Sequence, residues 1–336
     1  MAGGSDKAVY AAIAGNSVVM VAKFAAFLAS GSPGMLSEGI HSMADVGNQA
    51  LLALGIRKSS QPPMPGFPYG FHRDRYVWAL ISAVGIFFLG CGVTVYHGVD
   101  SLLHPHYESG GEMIALGVLL FSFIVEGWTL LVAWRAANAA RGSTPMLQFL
   151  RESEDPMVAA VLLEDGAAVL GVVLAAIGIG LAHFTGNPVF DSIASILIGL
   201  LLGLIAIGLI RRNRQLLLGE EVKVDTVNRM MSILEAQPEV GNVKNIKNVK
   251  TVVLGSGALR LAADVDFDGR AIARRLMQGK DLDALRVDWA DDDVLHAWLE
   301  DFGEAMLEEL GVTVDRIEKE LRDNIPELAH VALEAD

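Results

Sequence analysis

Long apolar segments separated by short polar connections dominate the first two thirds of the chain. Each is close to the roughly 20 residues that a helix needs to cross a hydrocarbon core of about 30 Å. Six such segments cover roughly residues 8–29, 35–56, 77–103, 112–137, 157–183 and 188–210. None resembles a cleaved signal peptide, because the first continues into the second without a small-residue cleavage site. The pattern therefore predicts a polytopic α-helical membrane protein with six transmembrane helices.

A different pattern begins after Leu218. It predicts an amphipathic helix, two β-strands around a Gly-Ser-Gly turn, a long helix and a last strand, over residues 222–236, 243–254, 258–267, 294–323 and 328–334. The order αββαβ is typical of a small sheet with helices on one face. We therefore expect two domains, a transmembrane domain over 1–219 and a C-terminal α+β domain over 220–336. The second contains an acidic insertion around 279–293.

Lys and Arg occupy alternate connections between the apolar segments. The connections near 30–34, 104–111 and 184–187 contain none, whereas 57–76 and 138–156 each contain several. The sixth segment also ends in a basic cluster. Because Lys and Arg are enriched in cytoplasmic loops, both termini and the C-terminal domain are expected in the cytoplasm.

Composition supports a membrane protein and excludes several other classes. Of the 336 residues, 52% are hydrophobic and 20% charged, and the mean hydropathy is +0.41. The single cysteine, Cys91, permits neither an internal disulfide nor a cysteine zinc site. The net charge of −14 disfavours nucleic acid as a partner. Residues 1–219 carry 12 basic and 14 acidic side chains and residues 220–336 carry 14 and 26, so the excess belongs to the C-terminal domain.

Ionisable side chains within the predicted spans are the candidate functional groups, because each is costly in lipid. They are Lys23, Glu38, His41, Asp45, Glu126, Glu164, Asp165 and Asp191. His41 and Asp45 are four apart and share one helix face, from which an imidazole and a carboxylate can bind one divalent cation. Asp45 lies roughly 15 Å into the second span and Asp165 roughly 12 Å into the fifth, from opposite sides. We therefore expect a metal site with one open position near mid-membrane.

Several of these residues have two interpretations. Glu164 and Asp165 lie about 100° apart around a helix, so one is expected to bind the ion while the other carries a proton or faces a neighbouring helix. Glu126 lines an inner access path or donates a hydrogen bond as a protonated acid. Glu38 lines the outer mouth or is a hydrated residue at a helix end. Lys23 neutralises a carboxylate or extends towards the outer interface.

Short sequences along the chain resemble a known family. SEGIHSMAD at 37–45, FPYGFHR at 67–73 and DSIAS at 191–195 resemble the second span, first cytoplasmic loop and sixth span of the cation diffusion facilitators, the zinc-transporter family. YHGV, LLED, TGNP and ADVDFDGR, which begin at residues 96, 162, 185 and 263, look like the branch that includes the mitochondrial zinc transporter nine of animals. The long N-terminal extension of that member is absent, which suggests a bacterial relative in the inner membrane.

The resemblance implies a homodimer of six-span protomers with a cytoplasmic ferredoxin-like domain. It implies proton-coupled antiport by alternating access that exports zinc, or another divalent cation, from the cytoplasm. The expected partners are this cation, protons and the lipid bilayer, with zinc as the transported ion and no tightly bound cofactor. The family's tail zinc ligand, a histidine in the second strand, has no counterpart here, so no such site is expected.

The family's central metal site corresponds to His41, Asp45 and Asp165. Its fourth ligand falls on Val161, and valine cannot bind a metal. Glu164, Asn48 and water are the candidate replacements, and we favour Glu164 because a carboxylate keeps the charge balance. The incomplete set leaves manganese, iron, cobalt and cadmium as alternatives to zinc.

Two other functions compete with transport. One is a non-transporting membrane metal sensor or scaffold that signals through the C-terminal domain. The other is an intramembrane hydrolase built on Asp45 and Asp165, although the chain contains neither a His-Glu-x-x-His nor a Gly-x-Gly-Asp sequence. We therefore expect a secondary active transporter and not an enzyme.

Overall fold

The computed structural model describes residues 3–30, 33–104, 112–153, 156–240, 245–278, 280 and 292–336. Only the backbone is described at 3–6, 27, 29–30, 33–38, 40–41 and 112–116. The chain divides into two compact units, Met1–Leu218 and Gly219–Asp336, and each is described by itself.

The first unit is helical. Its helices are α1 (Gly3–Ser30), α2 (Pro33–Ser59), α3 (Asp74–Leu103), α4 (Glu112–Arg141), α5 (Met146–Glu152), α6 (Pro156–Thr185) and α7 (Val189–Leu218). Among the described residues, five helices are long and apolar enough to cross a membrane, namely α1, α3, α4, α6 and α7. The predicted helical membrane class is therefore confirmed. The helix α2 has 27 residues, but polar side chains along it lower its hydropathy, and it is not one of the five.

The long helices pack through small residues. The helix α1 contacts α2 and α4, α3 contacts α7, and α6 contacts α4 and α7. A Cβ at Gly15 of α1 would lie 2.3 Å from Cγ2 of Thr129 on α4, and a Cβ at Gly199 of α7 would lie 3.0 Å from the backbone nitrogen of Val95 on α3. Glycine at these positions lets the helices approach closely, as small residues commonly do between membrane helices.

The middle of α3 is π-helical over Ile86–Val93. Such segments are rare within α-helices and occur frequently at functional sites. The sequence analysis predicted one continuous span here and did not anticipate the change in helix type.

The second unit is a small α/β domain. Its elements are α8 (Val224–Glu235), β1 (Ile246–Gly255), β2 (Ala258–Val265), α9 (Gly269–Met277), α10 (Asp292–Asn324) and β3 (Leu328–Ala335). They include a three-stranded sheet of order β1-β2-β3, in which β1 and β2 are antiparallel and β2 and β3 are parallel. Gly257, at a φ of +71°, permits the tight turn between β1 and β2.

The side chains of β2 are alternately buried and partly exposed, so one face of the sheet packs against the core of this domain. Leu261 and Val265 of β2 are fully buried, as are Met230 of α8 and Ile317 and Leu321 of α10. The central strand thus contributes every second side chain to the core, which is the expected pattern of a half-buried strand.

Two short helices were missed by the sequence analysis. The predicted order αββαβ lacks α9, whose N-terminus is capped by the Asp268 carboxylate, which accepts a hydrogen bond from Arg270 N at 2.9 Å. It also placed 138–156 in a connection, where α5 forms. Most of the acidic insertion around 279–293 lies outside the described residues, except Lys280 and the first two residues of α10.

Candidate metal centre

The second helix carries a row of polar side chains into the interior of the first unit. Ser42, Asn48 and Gln49 are buried, and Asp45 is partly buried. Their spacing of three to four residues keeps them near one face of α2, as helical geometry requires. The side chains of His41 and Glu38, about one and two turns before Asp45, lie outside the described part of the structure.

Glu164 on α6 is held by two amides of α2. Asn48 Nδ2 donates to Glu164 Oε1 at 2.7 Å, and Gln49 Nε2 donates to Glu164 Oε2 at 2.6 Å. Ser82 of α3 donates its hydroxyl to Asn48 Oδ1 at 2.5 Å. Three helices therefore meet in one hydrogen-bonded network around a buried carboxyl group, which restricts both the position and the rotamer of Glu164.

Asp165, the next residue, faces a different neighbour. It is 2% exposed and lies beside Thr129 and within electrostatic range of Glu126, both on α4. Its Oδ2 is buried and accepts no hydrogen bond from any described residue. Since a buried oxygen without a donor is costly, Asp165 has an unused acceptor that a cation or a proton would satisfy.

A cavity of about 320 Å³ lies between α2, α3, α6 and α7. Asp45, Asn48 and Glu164 line it, together with Ile86 of the π-helical segment and Leu202 of α7. At about 30 Å³ per water, this volume holds roughly ten waters, which is enough for a divalent cation with part of its hydration shell.

The structure places the predicted acids in two neighbouring groups, Asp45 with Glu164 and Asp165 with Glu126. Asp45 is within electrostatic range of both Glu164 and Asp165, and it shares the cavity with Glu164. Glu126 is 7% exposed and lies near Asp165. Among the described side chains, no three His, Cys, Asp or Glu groups are arranged to hold a metal ion, and His41 is not one of those side chains.

Three further positions were singled out by the sequence. Lys23 on α1 is buried at 4% exposure, and Asp191 is exposed at the start of α7. Val161, where the family pattern would place a fourth ligand, is fully buried in the apolar core. It therefore contributes packing and no donor atom.

Sequence reasoning considered Asn48 but missed Gln49 and Ser82. Both are uncharged, so neither stands out in an apolar span as an ionisable side chain does. The available signal was the run Asn48-Gln49 inside an otherwise apolar half-helix, since buried amides need partners.

Comparison with known proteins identifies the family. The cation efflux transmembrane domain matches residues 9–218, which cover α2, α6 and the network between them. The chain belongs to the cation efflux family. The resemblance to cation diffusion facilitators in the short sequences is confirmed, and with it the membrane assignment.

Relatives of this cation efflux protein match almost its full length. It is 43% identical over 337 residues to the mitochondrial proton-coupled zinc antiporter of Mus musculus, with 98% of this chain and 59% of that protein aligned. The same identity and length hold for the mitochondrial proton-coupled zinc antiporter of Homo sapiens, with 58% of that protein aligned. Metal tolerance protein C4 of Arabidopsis thaliana is 36% identical over an alignment of 343 positions, which covers 98% of this chain and 73% of that protein. The chain thus spans about three fifths of the two animal antiporters.

Proposed function

We propose that this cation efflux protein is a proton-coupled antiporter that exports a divalent cation, zinc first, from the cytoplasm by alternating access. One observation carries the proposal. Asp45 of α2 and Glu164 of α6 line a shared cavity in a helical unit in which five described helices are apolar enough to cross a membrane. Intramembrane carboxylates in this position are typical of ion pathways. The names of the relatives, zinc antiporters and a metal tolerance protein, agree with it.

His41, Asp45 and Asp165 are the proposed ligands. His41 lies one turn before Asp45 on α2, so the two positions share one face of the helix. Asp165 contributes the buried Oδ2 that accepts no hydrogen bond from a described residue. Nitrogen and oxygen donors in a four-coordinate site suit zinc.

Glu164 is the proposed fourth ligand. It lines the cavity with Asp45, and both its oxygens accept hydrogen bonds from amides, which leaves further lone pairs for a cation. Adjacent side chains diverge by about 100° around the helix. For Glu164 to bind the same ion as Asp165, this part of α6 must therefore rotate about its axis. We propose that this change accompanies the opening of one side of the site.

Competition between the ion and protons couples the two fluxes. Metal ligands must be deprotonated, so protons arriving at His41, Asp45 and Asp165 displace the cation through the same lone pairs. Glu126, buried on α4 near Asp165, and Glu38, earlier on α2, are proposed to line the inner and outer paths. Histidine titrates near neutral pH and suits this exchange.

The proposed topology has six spans, namely α2 and the five apolar helices, with both termini in the cytoplasm. The hydrogen bonds of Asn48 and Gln49 to α6 turn the polar side chains of α2 away from lipid, which supports a span of lower hydropathy. The basic connections support the orientation. We further propose a homodimer, a ferredoxin-like C-terminal domain and a bacterial inner membrane. Sedimentation of the purified protein in detergent tests the dimer, and fractionation of expressing cells tests the membrane.

Zinc uptake into proteoliposomes under an imposed pH gradient tests the function. We expect zinc flux that requires the gradient and falls at least about a hundredfold in the double variant Asp45→Ala, Asp165→Ala, because two of the proposed ligands are lost. The exposed residue Asp100 gives a matched control, since Asp100→Ala removes a carboxylate near the C-terminal end of α3, outside the proposed site. Flux that survives in the double variant contradicts the site, and the absence of flux for every divalent ion favours a sensor or scaffold.

A further inference from the structure

A second cavity, of about 570 Å³, lies between α5, the start of α6 and the second half of α7. It shares no lining residue with the cavity at Asp45. Leu147 and Leu204, at 63% and 71% exposed, stand at its rim, so it opens on the outer face of the helical unit. Lipid reaches an outward face of a membrane-spanning unit wherever no second protomer covers it.

The lining changes from apolar to basic along the helix axis. On α7 the lining residues run from Leu204 through Gly208 to Arg211 and Gln215, a rise of roughly 16 Å at 1.5 Å per residue. The helix α6 runs the other way and contributes Leu163 at the apolar end. The apolar lining residues of both helices therefore lie at the same end of the cavity, and that end is deeper in the span.

Arginines surround the other end. Arg151 of α5 and Arg211 of α7 line the cavity and are exposed. Arg212 is 7% exposed and donates through Nε at 3.1 Å and Nη2 at 2.8 Å to the carbonyl of Ser153. It thereby fixes the residues after α5 against α7, and the two exposed guanidinium groups are presented on an ordered frame. Glu152, beside Arg151, accepts a hydrogen bond from Gln148 on the exposed side of α5.

We propose that this cavity binds an anionic phospholipid, with one acyl chain along the apolar part and the phosphate at Arg151 and Arg211. The order of its lining matches that of a lipid, apolar towards the membrane centre and basic towards the interface. Its volume is within the usual range of small-molecule sites. Guanidinium groups bind phosphate through charge-assisted, often bidentate hydrogen bonds, and basic pockets between membrane helices are typical sites of anionic headgroups. Gly208 keeps the acyl part open, because a Cβ there would meet nothing within 4 Å.

The thermal stability of the full-length protein in detergent tests the proposal. After delipidation, phosphatidylglycerol is added at increasing concentration, and phosphatidylcholine and sn-glycerol 3-phosphate are added separately. A ligand that binds only the folded state raises the Tm, and we expect phosphatidylglycerol to raise it by about 3 °C or more. Phosphatidylcholine, which has the same chains but no net charge, and glycerol 3-phosphate, which has no chains, are expected to have little effect.

Two independent variants identify the cavity. The double variant Arg151→Gln, Arg211→Gln removes the headgroup contacts, and Gly208→Leu fills the acyl part; each should abolish the Tm rise. Arg214→Gln and Gly180→Leu are the matched controls, because Arg214 is an exposed arginine of α7 outside the cavity and a Cβ at Gly180 also meets nothing within 4 Å. Both controls should keep the rise.

Three results would overturn the proposal. An equal rise with phosphatidylcholine would mean that charge is not recognised. An equal rise with glycerol 3-phosphate would identify a soluble anion as the occupant. A rise that persists in both the double arginine variant and Gly208→Leu would place the lipid elsewhere on the protein.

Discussion

Asn48 of α2 donates a hydrogen bond to Glu164 of α6 across 116 residues of sequence, with 2.7 Å between Nδ2 and Oε1. Both residues line the cavity that contains Asp45. The carboxyl group of Glu164 is therefore positioned by the same helix that carries two of the proposed ligands. If α2 shifts relative to α6, its amides pull the carboxyl group of Glu164 with them, so this group and those ligands move together.

The first prediction concerns this positioning. Asn48→Leu, of similar volume, leaves one oxygen of Glu164 without its amide donor. Because leaving one partner of a buried hydrogen bond unsatisfied costs about 1–3 kcal/mol, zinc flux in proteoliposomes should fall by about fivefold to a hundredfold. Ser82→Ala removes only the bond from Ser82 to Asn48 and should reduce flux less. Equal flux in Asn48→Leu and the unmodified protein would show that Glu164 needs no support from α2.

The second prediction separates the two adjacent acids of α6. Asp165→Asn replaces a proposed primary ligand and should reduce zinc flux by about a hundredfold or more, whereas Glu164→Gln should mainly raise the KM for zinc, by about tenfold. The reason is that Glu164 already accepts two hydrogen bonds and joins the ion last. Concentration-dependent uptake measures both constants.

Asp191→Asn provides the control for this pair, since Asp191 is an exposed acid at the start of α7. It should change flux by less than about twofold. If Glu164→Gln abolishes flux while Asp165→Asn preserves it, the two acids have exchanged roles and the assignment is wrong.

Periodicity and charge predicted most of the helices but not the network that positions the candidate site. The apolar segments were recognisable because membrane spans need long uncharged runs, and Asp45 and Asp165 stood out against them. The partners of Glu164 were not predictable in the same way, because which amide faces which acid depends on the rotation of α2 against α6. The π-helical segment beside the site likewise depends on packing against α7 and has no local sequence pattern.

In the C-terminal domain, the long helix and three strands followed from their patterns, whereas α9 did not. It has only nine residues, so its signals were short: Ile272 and Leu276 stand four apart on one face, and Asp268 caps its start. The helix is held by tertiary contacts. Arg275 of α9 and Arg316 of α10 both bind the carboxylate of Glu239, at 2.9 Å and 2.8 Å.

The third prediction tests this ion-pair cluster. The Glu239 side chain is 7% exposed, so Glu239→Gln removes the buried charge that both arginines share, and each keeps one other carboxylate, Glu309 for Arg275 and Glu320 for Arg316. We expect the free energy of unfolding of this domain to fall by about 2 kcal/mol. Hydrogen exchange of β2 and α10 in the full-length protein measures the loss.

Glu318→Gln is the matched control in α10. Glu318 pairs with Arg322 at i,i+4, at 2.6 Å, on a more exposed side of the helix. Pairs of this kind contribute about 0.3–0.5 kcal/mol, so exchange should change little. Equal effects of the two variants would show that the cluster at Glu239 contributes no more than a surface pair.

The last prediction concerns pH and the loop before α3. Burial and the positive charge of Arg75 lower the pKa of His72 from its ordinary value of 6.5. The unfolded chain therefore binds a proton at a higher pH than the folded one, and this residue reduces stability as the pH falls below about 6.5. The Tm in detergent should drop less between pH 7.5 and pH 5.5 in His72→Gln than in the unmodified protein.

His183→Gln, at the exposed end of α6, tests whether loss of any histidine has this effect and should leave the drop unchanged. An NMR titration that places the pKa of His72 at or above 6.5 would contradict the stated cause, since neither burial nor a nearby cation favours the imidazolium.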